Sequence, residues 1–252
     1  MKWTGVIVGL GVALATPVGA ADLKVVSTGG ARAVMTAIVP EFERETGHKV
    51  DVAFATPGGM RDRLVAGESA DVAVAIAAIL PDLDKAGRIV PDTRMVFAAS
   101  YVGVAVRAGT PPVDVSTPDG VRRTILAAKM VALSDPKAGT QLGATFTAVA
   151  ERLGFGTELA SRVRWIAGPG SDVAAAVARG EADIGVTLIS EILPVAGAAL
   201  GGELPPDVMR PTVIHAFAVS GGNAEWAKLF LEFLRSPYAR RMIETKGMKP
   251  GE

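Results

Sequence analysis

Short apolar segments alternate with amphipathic helical segments along most of this chain, and this alternation constrains its fold more than any other feature. The apolar segments are rich in Val, Ile and Ala and have the length of buried strands. They lie at residues 23–26, 50–54, 71–75, 130–133, 164–166 and 183–187. Strand–helix–strand units join by right-handed crossovers and form parallel sheets covered by helices on both faces. The sequence therefore predicts an α/β fold with mostly parallel sheets.

The helical segments have recognisable beginnings and ends. Between Gly30 and Gly47 the apolar residues fall on one helical face and the charged residues on the other, and the second glycine is typical of a helix end. Thr117-Pro118, Ser171 and Ser236-Pro237 have the residue types that cap or open helices. We expect a helix to begin at each of these three places.

Two sheets explain the pattern better than one. The segments 97–106 and 212–219 are longer and alternate, so each could cross between two lobes and act as part of a hinge near Ser100 and His215. We expect lobe 1 to comprise residues 22–102 and 207–252, and lobe 2 to comprise residues 103–206. The alternative is one continuous sheet with two long edge strands.

The N-terminus has the features of an export signal. Met1-Lys2-Trp3 carries a positive charge, residues 4–14 are mostly apolar, and Val18-Gly19-Ala20 fits a cleavage site with small residues. We expect residues 1–21 to be a signal peptide that is cleaved near Ala20 or Ala21; a buried helix or strand is the alternative. The apolar run is about half of the ~20 residues that span a bilayer.

The amino-acid composition limits the cellular compartment of the protein and the kinds of site that it can contain. The chain has no cysteine, which excludes disulfides, thiol nucleophiles, cysteine zinc sites and a cysteine-linked lipid anchor. An exported protein without an anchor is expected in the periplasm. The 26 basic residues balance the 26 acidic ones, whereas nucleic-acid-binding proteins usually carry a basic excess. We therefore expect no nucleic-acid partner.

Catalytic motifs are weak. His48 and His215 have no companions at metal-ligand spacing, so we expect neither a metal site nor a cofactor. Ser134 and Lys137 match the Ser-x-x-Lys pattern of some serine acyl transferases, but Pro136 breaks the helix that such a pair requires. A secreted serine-type hydrolase remains an alternative to a non-enzymatic protein.

Four glycine-containing turns each follow a predicted strand and open a predicted helix. They are Gly29-Gly30, Pro57-Gly58-Gly59, Gly139-Thr140 and Gly168-Pro-Gly170-Ser171. In a parallel α/β sheet such turns lie at the carboxyl edge of the strands, where helix N-termini offer unpaired N–H groups and partial positive charge. We expect these turns to surround a site for a small anion.

Several segments resemble the periplasmic molybdate-binding proteins of ABC importers. The similar segments are Leu23 to Phe42 with the following Gly47-His-Lys-Val, residues 56–72, Ser134-Asp-Pro136, Arg152-Leu-Gly154, residues 177–185, and Ser236-Pro237 with Lys246-Gly247-Met248. The resemblance covers most of the chain after the signal and implies a two-lobed fold of the periplasmic binding protein type. It also implies a small anionic ligand in the cleft, an ABC permease as partner, and a monomer.

The ligand positions implied by the resemblance differ from the family pattern. Gly29-Gly30 replaces a serine, and Leu188 replaces a tyrosine whose hydroxyl bonds the oxyanion. Because each unpaired acceptor of a dehydrated oxyanion is costly, these changes favour a larger anion such as an organic carboxylate; molybdate or tungstate stays the alternative. The candidate ligand-binding residues are Thr28, Gly29, Gly30, Thr56, Gly58, Gly59, Arg61, Thr140, Gln141, Gly170, Ser171, Val173, Leu188 and Ser190.

Arginine side chains close behind the first two turns are candidates for a ligand carboxylate. Arg32 and Arg61 stand near helix starts, where the helix dipole disfavours cations, and a guanidinium can bind a carboxylate with two hydrogen bonds. For each of them, an exposed side chain that points away from the cleft is the alternative. Gln141 and Ser190 could contribute neutral polar contacts.

Overall fold

A computed structural model describes residues 23–138 and 140–251 of the chain. The predicted signal peptide, including its cleavage site, and Gly139 lie outside the described residues. None of the described helices has both the length and the apolar character needed to cross a bilayer.

The described strands form two sheets. In chain order they are β1 (Leu23–Thr28), β2 (Val50–Ala55), β3 (Val72–Ile76), β4 (Met95–Ser100), β5 (Val102–Arg107), β6 (Val131–Ser134), β7 (Val163–Ile166), β8 (Ile184–Leu188), β9 (Ala198–Glu203), β10 (Thr212–Ala218) and β11 (Met248–Pro250). Sheet 1 has the order β11-β4-β10-β3-β1-β2, and sheet 2 has the order β7-β6-β8-β5-β9. The predicted α/β fold with two sheets is confirmed.

The helices connect these strands. They are α1 (Arg32–Thr46), α2 (Pro57–Val65), α3 (Leu80–Lys85), α4 (Pro118–Ala127), α5 (Leu142–Arg152), α6 (Gly156–Ala160), α7 (Gly170–Ala178), α8 (Ile189–Ile192), α9 (Ala224–Leu234) and α10 (Pro237–Thr245). Short 3-10 turns at Gly29–Ala31, Ala77–Ile79 and Pro136–Ala138 follow β1, β3 and β6.

Both sheets are mixed, with a parallel part that is smaller than predicted. In sheet 1, β1 pairs in parallel with β2 and β3, whereas β10, β4 and β11 are joined by antiparallel pairings. In sheet 2, β6 pairs in parallel with β7 and β8, whereas β5 is antiparallel to β8 and β9. The six predicted strand segments correspond to these parallel strands.

The chain passes between the sheets at two places. Tyr101 alone separates β4 of sheet 1 from β5 of sheet 2, and residues 204–211 lead back from β9 to β10. The expectation that residues 212–219 themselves cross is wrong, because β10 pairs along its length with β3 and β4. The return passage is therefore the non-strand segment before β10.

Each sheet has its own hydrophobic core. In sheet 1, Phe42 of α1 contacts Phe230 of α9 edge to face, with ring centroids 4.9 Å apart, and both rings are fully buried. In sheet 2, Phe146 and Phe155 are fully buried in a separate cluster with residues of β5, β6 and β8. Two separate cores are the expected arrangement when two lobes pack independently.

Two of the three predicted helix caps are confirmed. The Thr117 hydroxyl accepts a hydrogen bond from Gly120 N at 3.1 Å, and the Ser236 hydroxyl accepts one from Ala239 N at 3.1 Å. Ser171 is not a cap, because α7 already begins at Gly170 with Pro169 before it. Gly47 ends α1 with φ of 75°, a conformation that glycine adopts without strain.

Candidate functional site

A cavity of about 540 Å³ lies between the two sheets, at the carboxyl ends of their parallel strands. Its lining comes from the segments that follow β1, β2 and β3 on one side and β6, β7 and β8 on the other. Residues Met209 to Ile214, from the return passage and the start of β10, also line it. A volume in the range of roughly 300 to 1,000 Å³ is typical of small-molecule sites.

Eight of the candidate residues line this cavity. They are Thr28, Gly29, Gly30, Thr56, Thr140, Gln141, Gly170 and Leu188. They come from turns in both halves of the molecule that are far apart in sequence, as the positions of the glycine turns at strand ends predicted. That they bind a ligand stays a prediction.

The other six candidates do not line the cavity. They are Gly58, Gly59, Arg61, Ser171, Val173 and Ser190. Val173 is fully buried among apolar residues of α7 and sheet 2. Gly59 N donates to the Thr56 hydroxyl at 3.2 Å, so this helix-start donor is used by the protein's own cap.

Arg61 pairs with carboxylates of α2 and α3. Its Nε donates to Asp62 at 2.9 Å, and its guanidinium also lies 3.8 Å from Asp82 on α3. The hydrogen bond to Asp62, followed by the attraction of that carboxylate, raises the pKa of Arg61. The position of Arg61 therefore gives no support to the prediction that it meets a ligand carboxylate.

Ser190 connects the two halves instead of facing the cavity. Its hydroxyl donates to the Gly30 carbonyl at 3.1 Å and lies 3.0 Å from the hydroxyl of Ser100, the last residue of β4. Both serines are buried. A Cβ on Gly30 would lie 3.0 Å from Leu188 Cδ1, so the two halves also approach closely at this glycine.

Two arginine side chains contribute positive charge to the cavity. Arg32 begins α1 and lies over the ring of Phe54, 4.0 Å from its centroid, and Arg210 comes from the return passage. Both residues are exposed. Within the described part of the chain, neither forms a salt bridge, so both guanidinium groups are available to an anion. Arg210 was not predicted as a site residue.

Glu191, which was not predicted as a site residue, places a carboxyl group at the cavity. One oxygen accepts a hydrogen bond from the Thr187 hydroxyl at 2.9 Å, and the other accepts one from Gly170 N at 3.2 Å. Burial raises the pKa of this carboxyl above the usual range, although these hydrogen bonds act in the opposite direction. No lysine or arginine in the described residues forms a salt bridge with Glu191.

The helix starts around the cavity differ in how their N–H groups are used. The 3-10 turn at Gly29 and helix α5 begin without a side-chain cap. At α7, by contrast, Gly170 N already donates to Glu191. The anion that the start of α7 would attract is thus supplied by the protein itself.

The acyl-transferase alternative has little geometric support. Ser134 ends β6, is buried and lines the cavity, whereas Lys137 is exposed in the following 3-10 turn and does not line it. No hydrogen bond joins these two side chains in the described structure. Three or more His, Asp or Glu side chains do not come together as a metal site in residues 23–138 and 140–251.

The family described as bacterial extracellular solute-binding protein matches residues 23–249 of the chain. An aconitate isomerase of Pseudomonas sp. is 32% identical over 234 residues, which cover 90% of this chain and 87% of that protein. The molybdate-binding protein ModA of Azotobacter vinelandii is 28% identical over 250 residues, which cover 96% of this chain and 95% of that protein.

Solved structures show the same fold. The periplasmic molybdate-binding protein of Azotobacter vinelandii superimposes with a TM-score of 0.72 at 23% identity, covering 90% of this chain and 98% of that chain. The fold of two mixed sheets flanked by helices is therefore shared with that protein.

Proposed function

The chain belongs to the bacterial extracellular solute-binding proteins, and we propose that its ligand is a small organic anion with two or more carboxylates. Arg32 and Arg210 support this proposal, because they line one cavity and form no salt bridge in the described residues. A guanidinium can hold a carboxylate by two parallel hydrogen bonds. Two guanidinium groups in one cavity suit a ligand that has carboxylates at two separate positions.

A bare tetrahedral oxyanion fits this cavity less well. The N–H of Gly170 is occupied by Glu191, and Leu188 presents a hydrocarbon chain to the cavity. A closed site must pair most oxygens of a dehydrated oxyanion, since each unpaired one costs about 1 to 3 kcal/mol. Phe54, Leu188 and Ile214 also give the cavity apolar walls, which match the carbon skeleton of an organic acid.

Calorimetry on the wild type and two arginine variants tests this proposal. Arg32→Ala should weaken binding of a di- or tricarboxylate about 10- to 150-fold, from a charge-assisted contact of about 1.5 to 3 kcal/mol. Arg44→Ala is the matched control, since Arg44 lies on the same helix, is exposed and pairs with Glu41. Tight molybdate binding that is unaffected by Arg32→Ala, without carboxylate binding, would contradict the proposal.

The cellular context follows from the predicted export signal. We propose that the mature protein is a periplasmic monomer that delivers its ligand to an ABC permease in the inner membrane. Fractionation of cells and intact-mass measurement of the periplasmic form test the location and the cleavage near Ala20. Reconstituted transport with and without the protein tests the permease partnership.

A second candidate function is isomerisation of an unsaturated tricarboxylate. It is suggested by the relative named aconitate isomerase together with the Glu191 carboxyl, which lines the cavity. Incubation with either geometric isomer of aconitate, followed by NMR, tests it directly. Formation of the other isomer would show an enzyme built on a solute-binding fold.

A further inference from the structure

We propose that Glu191 is the proton-transferring group of an allylic isomerisation that takes place in the cavity. The inference rests on the proposed binding of carboxylates and goes one step further, because it assigns the chemistry to one side chain. No other aspartate or glutamate lines the cavity within the described residues.

The position of Glu191 is defined by two neighbouring elements. It lies on α8 directly after β8, where the Thr187 hydroxyl donates to one oxygen and Gly170 N of α7 donates to the other. A carboxyl held by two donors keeps a fixed orientation, which general acid–base catalysis requires. Only part of the residue is accessible, and it lines the cavity.

The charges around Glu191 suit a base that receives and returns a proton. Burial raises the pKa of Glu191 most; its hydrogen bonds oppose this rise, and the negative charge of Asp172 on α7 adds to it, so the carboxylate is a stronger base than an exposed glutamate. Arg32 and Arg210 line the same cavity from the other half and from the return passage. Glu191 thus accepts the hydrogen bond from the start of α7 and also lies at the cavity, where a ligand can reach it.

The proposed reaction conserves all atoms and electrons. Glu191 takes a proton from the CH2 next to the double bond; the C–H electron pair forms a new C=C bond while the old one opens. The negative charge that develops spreads onto the neighbouring ligand carboxylate, which an arginine stabilises. Glu191 then returns the proton to the far carbon of the former double bond. The double bond has moved, and no oxidant or co-reactant is consumed.

The discriminating experiment compares Glu191→Gln with Glu158→Gln in D2O. The glutamine keeps the shape of the side chain and an acceptor for Gly170 N, while Glu158 is an exposed residue of α6 outside the cavity. With trans-aconitate as the probe, NMR should show isomer formation and deuterium incorporation by the wild type and by Glu158→Gln. Glu191→Gln should bind the probe in calorimetry but react about 100- to 10,000-fold more slowly.

The possible results distinguish carboxylate binding, isomerisation and the role of Glu191. Absence of wild-type binding to any carboxylate overturns the proposed function itself. Binding without isomer formation or deuterium exchange overturns the isomerisation but leaves carboxylate capture intact. Unchanged turnover in Glu191→Gln overturns the role of Glu191. Should Glu191→Gln fail to fold by circular dichroism, Glu191→Asp replaces it, and only a slower reaction with retained binding supports the proposal.

Discussion

Gly170 and Glu191 depend on each other at the centre of the site. A side chain at position 170 would collide with the Glu191 carboxylate and with the Thr187 hydroxyl, so only glycine permits the hydrogen bond from its N–H. The glycine of this turn therefore serves the protein's own carboxylate. It is not simply a means of bringing the backbone close to a ligand.

Replacing Gly170 by alanine should displace the Glu191 carboxyl from its two donors. We expect the free energy of unfolding to fall by about 1 to 3 kcal/mol, as for overpacked sites, and any turnover to fall with it. Urea denaturation followed by circular dichroism measures the first effect. Gly29→Ala is the control, because a Cβ there meets nothing within 4 Å. Equal stability of the two variants would contradict the expected collision.

The raised pKa of Glu191 makes stability depend on pH in a defined direction. The folded state binds a proton more tightly than the unfolded state, whose glutamate has the ordinary pKa of 4.5. The stabilising effect is thus complete below that value and is lost as pH rises through the folded-state pKa. The Glu191→Gln variant has no group that titrates here and does not lose this stabilisation, so its stability relative to the wild type should increase with pH. Urea titrations from pH 4 to pH 8 test this, and a difference that does not vary with pH would contradict it.

Sequence patterns located the turns of the site better than its charges. Thr28 to Gly30, Thr56 and Gly170 were predicted because a glycine turn between strand and helix has a recognisable local signal. Glu191 was missed although it lies next to the candidate Ser190, because one acidic residue after a strand has no distinctive pattern. Arg210 was missed because its position at the cavity depends on how residues 204–211 return between the sheets, which is a non-local feature.

At the scale of elements, local signals decided where helices begin. Helix α4 begins at Thr117-Pro118 for two reasons. Thr117 has an extended backbone and its hydroxyl caps the helix, and Pro118 fits the first helical turn. The boundary between β4 and β5 has no such signal, since the strand-like pattern of residues 97–106 continues across Tyr101. β4 and β5 are separate strands because they pair with strands of different sheets, which the local sequence does not show.

Thr117→Ala should destabilise lobe 2 through the start of α4. Loss of the hydrogen bond from Gly120 N should lower the free energy of unfolding by about 1 kcal/mol. Ligand affinity should stay unchanged, because Thr117 does not line the cavity. Thermal and urea unfolding measure the effect beside Thr36→Ala, an exposed position inside α1. A stability equal to that of the control would show that the cap contributes nothing here.

At the scale of the whole molecule, two narrow connections and a few side-chain contacts join the sheets. One connection is Tyr101 and the other is residues 204–211, while Ser190 bonds to Gly30 near the first connection. Rotation about two connections moves rigid cores relative to each other, which is how a hinge works. The lobe boundaries at residues 102–103 and 206–207, and the hinge itself, stay predictions.

Ligand binding should bring the two lobes closer together. Arg32 follows β1 of sheet 1 and Glu191 follows β8 of sheet 2, and both line the cavity, so a ligand that contacts both sides stabilises a closed arrangement over an open one. The chain has no cysteine, so Ala66→Cys on lobe 1 and Ala148→Cys on lobe 2, both exposed, can be labelled without background. Distances from electron paramagnetic resonance should shorten with saturating tricarboxylate. In an Arg32→Ala background the same ligand concentration should give a smaller fraction of molecules with the short distance, because the affinity for the ligand is lower. Distances that do not change at a saturation verified by calorimetry would rule out hinge closure while leaving carboxylate binding in place.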